Sequence, residues 1–188
     1  TMGAGSGNND RHPVTVVNWR DCMVFCNALT ELYNIVNNTH YTLAYNYNSI
    51  PIRNSHYTNE EQCDNVKIDQ NATGFRLLTE DEWELASRFR YNSVNTVAGY
   101  ENPWFTKGDS ASGASSNYLN ADASGEVSWY ESNSGAATHE VKCKKGNSLG
   151  IYDMSGNVLE WCFDLNAHYR AARGGCWSYI AYSLSVGY

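Results

Sequence analysis

Apolar residues recur at three- and four-residue steps from Trp19 to Val36 (Trp19, Cys22, Cys26, Leu29, Tyr33, Val36), the spacing that lines one face of a helix. Asn18 can cap that helix, and Asp21 stands in its first turn, where a carboxylate meets the positive end of the helix dipole. Asn37-Asn38 ends it, so a helix is expected from about Trp19 to Ile35. Ahead of it, Thr1 to Arg11 is polar, and His12-Pro13-Val14-Thr15-Val16-Val17 alternates enough to predict a short strand. After it, Tyr41, Leu43, Tyr45 and Tyr47 alternate with Thr42, Ala44 and Asn46, the period of a strand with one aromatic face. Asn48 to Asp64 reads as loop and Val66-Lys67-Ile68 as a short strand. Gly74 to Leu78 predicts a further strand that aims a second helix. Thr79-Glu80-Asp81-Glu82 opens that helix as a capping box, in which the Thr79 hydroxyl and the Glu82 carboxylate each accept from the other residue's free amide. Trp83, Ala86, Phe89 and Arg90 continue its inner side, and the helix fades by Tyr91.

Asn92 to Ser148 has no clear periodicity. Its scattered aromatics (Tyr100, Trp104, Phe105, Tyr118, Trp129, Tyr130) favour extended loops packed onto a fold over disorder. Asn147 to Trp177 is the organising stretch, a turn-rich core hairpin running into a glycine-gated strand. Leu149, Ile151, Val158, Leu159, Trp161 and Phe163 offer apolar bulk, and Gly150, Ser155-Gly156-Asn157 and Gly174-Gly175 offer turns. Asp153 and Glu160 lie in this apolar ground, where a carboxylate is hydrogen-bonded, paired or metal-bound.

Composition narrows the function classes. At 188 residues with 13% aromatic and 18% charged residues, the chain is expected to form a single domain, residues 1–188, with its own core. It has no run of 18 apolar residues, so no transmembrane segment is expected. A net charge of −7 without a basic stripe excludes nucleic acid as a partner class. The six cysteines form no CxxC pair, and Cys22 and Cys26, four apart on one helical face, read as small packing hydrophobes. His12, His40, His56, His139 and His168 show no metal-ligand spacing.

Four stretches resemble one family. Gly74 to Arg88 (GFRLLTEDEWELASR) is similar to its G-[FY]-R-L-P-T-E-x-E-W-E-x-A-x-R motif, and Asn147 to Trp161 (NSLGIYDMSGNVLEW) to N-x-[FLY]-G-L-Y-D-M-x-G-N-V-W-E-W. Arg173 to Trp177 is similar to R-G-G-S-W, and His12 to Leu29 to P-V-x-x-V-x-W-x-D-A-x-x-[FY]-C-N-x-L. This is the formylglycine-generating-enzyme-like, or sulfatase-modifying-factor, family. The resemblance implies an α+β fold of the C-type lectin type: two helices around a small, mostly antiparallel sheet with long irregular loops. Family members begin with a further strand and run on past the position of Tyr188, so the chain is expected to lack its first and last strands.

The formylglycine-generating enzymes carry two copper-binding cysteines beyond the R-G-G motif. Here those places hold Tyr179 and Leu184, neither of which supplies a thiolate, so no copper and no oxidase chemistry are expected. Instead, Ser178 to Tyr188 resembles the W-N-N-N-A-x-x-C-x-V frame of variable regions made by diversity-generating retroelements. Ala181, Leu184 and Val186 take the fixed places. Cys176, Ser178, Tyr179, Ile180, Tyr182, Ser185, Gly187 and Tyr188 take the varied, ligand-facing ones, with packing beneath a further segment as the alternative. Tyrosine with serine and glycine is the composition of adaptable protein-binding surfaces. No Glu-Pro-Asn or Gln-Pro-Asp motif occurs, so a protein ligand is expected rather than a carbohydrate. The resemblance also implies a cell-surface or extracellular location, with a lipid anchor carried by a segment outside this chain. It further implies a structural calcium held by the side chains of Asp153 and Glu160 and the carbonyls of Gly156 and Val158, an oxygen-only set of the kind calcium takes. A hydrogen-bonded core without an ion is the alternative.

Overall fold

Asn18 opens the first helix with its side-chain oxygen accepting from the Asp21 amide, while the Asp21 carboxylate accepts from the Asn18 amide, both at 3.0 Å. This full capping box starts α1, Trp19–Asn37, and Asn38 in the left-handed conformation closes it. The structure, a computed structural model, describes residues 9–90 and 106–188. The chain forms two compact units, Val17–Leu78 and Thr79–Tyr188 together with the segment up to Val16. The opening residues up to Asn8, and Tyr91 with the first part of the irregular stretch (Tyr100, Trp104 and Phe105 included), lie outside the described residues.

In the Val17–Leu78 unit, α1 buries Trp19, Met23, Asn27 and Thr30, a face rotated from the expected one. Cys22, Cys26 and Leu29 flank it half-buried, and Tyr33 and Val36 are exposed. Asn27 is the reason. Its amide donates to Tyr45 O (2.8 Å) and Ile52 O (3.0 Å), and its Oδ1 accepts from Tyr45 N (3.2 Å). A polar side chain so fully bonded can sit in a core, and an apolar-period count does not register it. The expected strand over Tyr41–Tyr47 narrows to β1, Tyr45–Tyr47. It is the centre of an antiparallel sheet between β2 (Ile50–Pro51) and β3 (Lys67–Ile68). Asn48 and Ser49 both have positive φ (49° and 64°), the signature of the tight hairpin turn that matches strand twist. The expected loop after it also holds a 3-10 turn, Tyr57–Asn59, and α2, Glu60–Asp64. Gly74 to Leu78 is not a strand. Side chains take the place of a partner: Phe75 N donates to Thr30 Oγ1 (2.9 Å) and Leu77 N to the Tyr45 hydroxyl (2.8 Å).

In the other unit the stretch from His12 is no strand either, because Val16 turns into the left-handed region (φ 59°) and breaks the extended run. The Thr79 capping box forms as expected, with Glu82 N to Thr79 Oγ1 at 3.2 Å and Thr79 N to Glu82 Oε2 at 2.9 Å, and starts α3, Glu80–Arg88. Trp83 on α3 packs with Met154, Cys162 and Ala171 into one core cluster. The irregular stretch contains a helix, α4 (Ala121–Val127), capped by Asn120. It supplies Val127 to a second cluster with Ala111, Ala114, Tyr130 and Leu184. The expected hairpin is β4 (Glu160–Asn166) paired antiparallel with β5 (Tyr169–Arg173). Leu149, Ile151 and Leu159 are exposed instead of filling the core. All six cysteines are free thiols.

Candidate functional site

β5 runs into Gly174-Gly175, and this pair sets the direction of the last thirteen residues. Gly175 has φ 68°, and a Cβ there would lie 2.6 Å from Ser183 O and 2.8 Å from Leu184 Cδ2, so only glycine lets the chain fold back this closely. The segment that follows is a turn and a 3-10 helix, Ala181–Leu184, instead of the expected strand end. It is held mainly through its backbone. Trp177 O accepts from Ser134 Oγ (2.9 Å), Tyr179 O from Glu131 N (3.0 Å), and Leu184 O from Ser155 Oγ (2.8 Å). Val186 N donates to Ser110 O (2.9 Å) and Gly187 N to Gly108 O (3.0 Å). The Arg173 guanidinium donates to Val186 O at 3.0 Å and to Tyr188 O, lies 5.2 Å from the Trp83 ring centre and faces Glu80 and Glu84 at 3.5 and 3.7 Å.

This support sorts the side chains by direction. Leu184 and Val186 are completely buried, and Ala181 packs against the second core cluster. Tyr179, Ile180, Tyr182 and Tyr188 are 40, 56, 48 and 60% exposed, and Ser178 and Gly187 are exposed beside them. Cys176 is half-buried at the edge, its Sγ 3.3 Å from Ser178 Oγ. Ser185 departs from its expected outward place: it is 5% exposed and bridges to Ala111, because a 3-10 turn does not alternate sides as a strand does. Tyr118 joins the face without any signal in its irregular surroundings. Its ring meets Tyr182 edge-on at 5.1 Å, and Tyr182 meets Tyr188 edge-on at 5.2 Å. The three rings make one aromatic patch with polar hydroxyls, an apolar body with a wet rim.

The two acidic residues come together elsewhere in this unit. Asp153, Val158 and Glu160 line one cleft of about 410 Å³, while Gly156 lies buried with its backbone against Trp129 O. Asp153 Oδ2 accepts from Lys142 N (2.8 Å), and Glu160 Oε2 accepts from Trp83 Nε1 (2.6 Å). Burial pushes the Glu160 carboxyl up to about 7, the Trp83 bond pulls against this, and the Asp153 charge adds to it. Among the described residues no three His, Cys, Asp or Glu side chains gather as a metal site. The donors that are present, two carboxylates sharing a cleft, fit part of a calcium cradle of carboxylate and carbonyl oxygens.

The raised Glu160 value has a consequence for stability. The folded state holds a proton that the unfolded chain has lost, so stability from this group is present below about 4.5 and disappears as pH rises through about 7. Wild-type protein is expected to lose up to about 3 kcal/mol from this group between those limits. Glu160→Gln should flatten that part of the curve. Urea unfolding at pH 5 and pH 8 checks it, and equal pH slopes for the two proteins would contradict it.

Burial pushes Cys22 and Cys26 up to about 11 and Cys162 to about 12, which keeps them protonated. Tyr179 is exposed and Leu184 is fully buried at the two places where the resemblance puts copper-binding cysteines.

Comparison with known proteins places the family and the fold. Residues 2–186 match the sulfatase-modifying factor enzyme 1-like domain family. The chain is similar to the Chaperone protein LppX of Paenibacillus barcinonensis, 31% identical, over 95% of this chain and 64% of that protein. Among solved structures it is similar to Treponema denticola variable protein 1, at 31% identity and a TM-score of 0.66, over 95% of this chain and 64% of that one. It is also similar to CarF, at 26% identity and a TM-score of 0.62, over 95% and 63%. The chain thus spans less than two-thirds of the length of these relatives. Family motifs, α+β architecture and fold likeness agree: the chain belongs to the sulfatase-modifying factor enzyme 1-like domain family, with its C-type lectin fold.

Proposed function

We propose that this chain is a non-catalytic binding protein of the variable-protein kind, whose contact face for a protein ligand is Cys176, Ser178, Tyr179, Ile180, Tyr182, Gly187 and Tyr188 with Tyr118. One observation carries the reading: Ala181, Leu184 and Val186 turn into the core while Tyr182 between them and Tyr179 and Tyr188 on either side stay outside. A chain built this way separates the residues that hold the fold from those that meet a partner. Tyrosines are large and stiff, contact a partner at low entropic cost, and serve protein recognition well. The oxidase activity of other family branches needs a pair of thiolates in this segment, and Cys176 alone is at hand. Among the described residues no helix is long and apolar enough to cross a membrane. We place the protein at the cell surface, with lipid anchoring through a segment outside these residues.

Sequencing the gene from several isolates tests the face. Differences are expected at codons of the outward positions, with 181, 184 and 186 unchanged. An invariant segment would leave a binder of fixed specificity and remove the variable-protein reading.

We propose further that Asp153 and Glu160 hold a structural calcium together with the Gly156 and Val158 carbonyls. Bound calcium supplies positive charge between the two carboxylates, and Glu160 then stays ionised at neutral pH. Calcium added at pH 8 should raise the wild-type urea midpoint, and calcium added to the folded protein at pH 6, where Glu160 still holds its proton, should release that proton. An unchanged midpoint and no proton release would refute the assignment.

A further inference from the structure

The Val17–Leu78 unit carries the largest cleft among the sites described, about 1070 Å³, and the function proposed above makes no use of it. It is bounded by β1, its tight turn, the neighbouring strands and the end of α2, so every wall comes from residues 41–69. Its lining combines flat aromatic surface with uncharged amide groups.

Tyr41 is the fixed element. Its backbone is clamped from both sides by one side chain: Asn34 Oδ1 accepts from Tyr41 N and Asn34 Nδ2 donates to Tyr41 O, each at 2.8 Å. Its ring stacks on Tyr33 with centroids 5.7 Å apart, and Tyr33 is braced edge-on by Phe75 at 5.5 Å. The ring is 42% exposed, so a locked aromatic platform meets the cleft without having to be ordered on binding. Around it stand three asparagines whose amides can both donate and accept. Asn46 commits its Nδ2 to Leu43 O (3.2 Å) and Asn65 its Nδ2 to Glu61 O (2.8 Å), which orients each amide and turns its oxygen to other partners. Asn48 sits exposed at the turn.

The charge in the lining is mixed, with Glu61 and Asp69 against Lys67, so neither an anion nor a polycation is favoured. An apolar helix would need a continuous hydrophobic trough, and the amides interrupt one. A ligand with flat C–H faces and many hydroxyls satisfies both parts of the lining at once: faces on tyrosine, hydroxyls on amides. We infer that this cleft binds a neutral oligosaccharide, with Tyr41 as its stacking platform and Asn46, Asn48 and Asn65 as its hydrogen-bond partners. The cleft shares no residue with the C-terminal contact face and stands or falls apart from it.

The test is titration of the whole chain with maltopentaose, cellopentaose and chitopentaose, followed by amide chemical shifts. At least one is expected to bind with a Kd below about 1 mM and to move resonances within residues 41–69. Tyr41→Ala should weaken that binding at least about tenfold. Asn48→Gly removes an amide at a positive-φ turn position that glycine accepts, so it keeps the fold and should weaken binding several-fold. No shifts with any of the three sugars would overturn the inference. So would shifts confined to residues 176–188, or unchanged affinity in the Asn48→Gly protein.

Discussion

Asn157→Ala is expected to lower stability by about 3–5 kcal/mol, read as a fall in urea midpoint at constant slope. Asn157 is buried with φ 59°, a conformation asparagine tolerates far better than alanine. Its Nδ2 donates to His139 O (3.1 Å) and its Oδ1 accepts from His139 N (3.0 Å), so one side chain satisfies both backbone groups of another residue. Its backbone N donates to Trp129 O (2.8 Å) and its carbonyl accepts from Trp177 N (3.0 Å). His139 in turn stacks on Trp129 at 3.8 Å, and Lys144 Nζ lies 3.8 Å over the same ring. Alanine would strand the two part-buried backbone groups of His139, each costing up to about 1–3 kcal/mol, and add backbone strain. A loss below about 1 kcal/mol would show that water replaces the amide at no great cost.

Leu184→Ala should cost a comparable amount, about 3–5 kcal/mol, because Leu184 is fully buried against Ala111, Ala114, Val127 and Tyr130 and its removal leaves a cavity in that cluster. The informative comparison is Tyr179→Ala five positions earlier, expected to change stability by less than about 1 kcal/mol. Thermal unfolding of the two variants side by side decides whether inward and outward positions are energetically as well as geometrically distinct. Equal losses would mean that the outer tyrosines belong to the packing.

How much of this was legible in the sequence follows from what each element depends on. The starts of α1 and α3 were, because a capping box is local chemistry written in four residues, Asn18 to Asp21 and Thr79 to Glu82. The glycine gate after β5 was legible for the same reason, since positive φ at Gly174 and Gly175 leaves a mark in residue type. The rotated face of α1 was hidden because Asn27 is buried through bonds to Tyr45 and Ile52, residues far along the chain. α4 was hidden because its seven residues, rich in Ala and Ser, have no apolar period to count. At the candidate site, Ala181, Leu184 and Val186 stood out as inward, whereas Ser185 was misplaced by reading a 3-10 turn as a strand. Tyr118 could not be found at all, since only the fold brings it to Tyr182.

The bonds that fasten residues 177–187 fall on their peptide groups, and the anchoring side chains (Ser134, Ser155, Arg173) belong to other parts of the chain. The shape of the segment is therefore written outside the segment. Replacing an outward residue alters what is presented and leaves intact the instructions for presenting it. Under the proposed variable-protein function, each new combination of side chains would inherit a conformation already ordered, and a change in specificity would need no compensating change in fold. Under that function, the carbonyl-directed grip of three side chains outside the segment amounts to evolvability built into the scaffold.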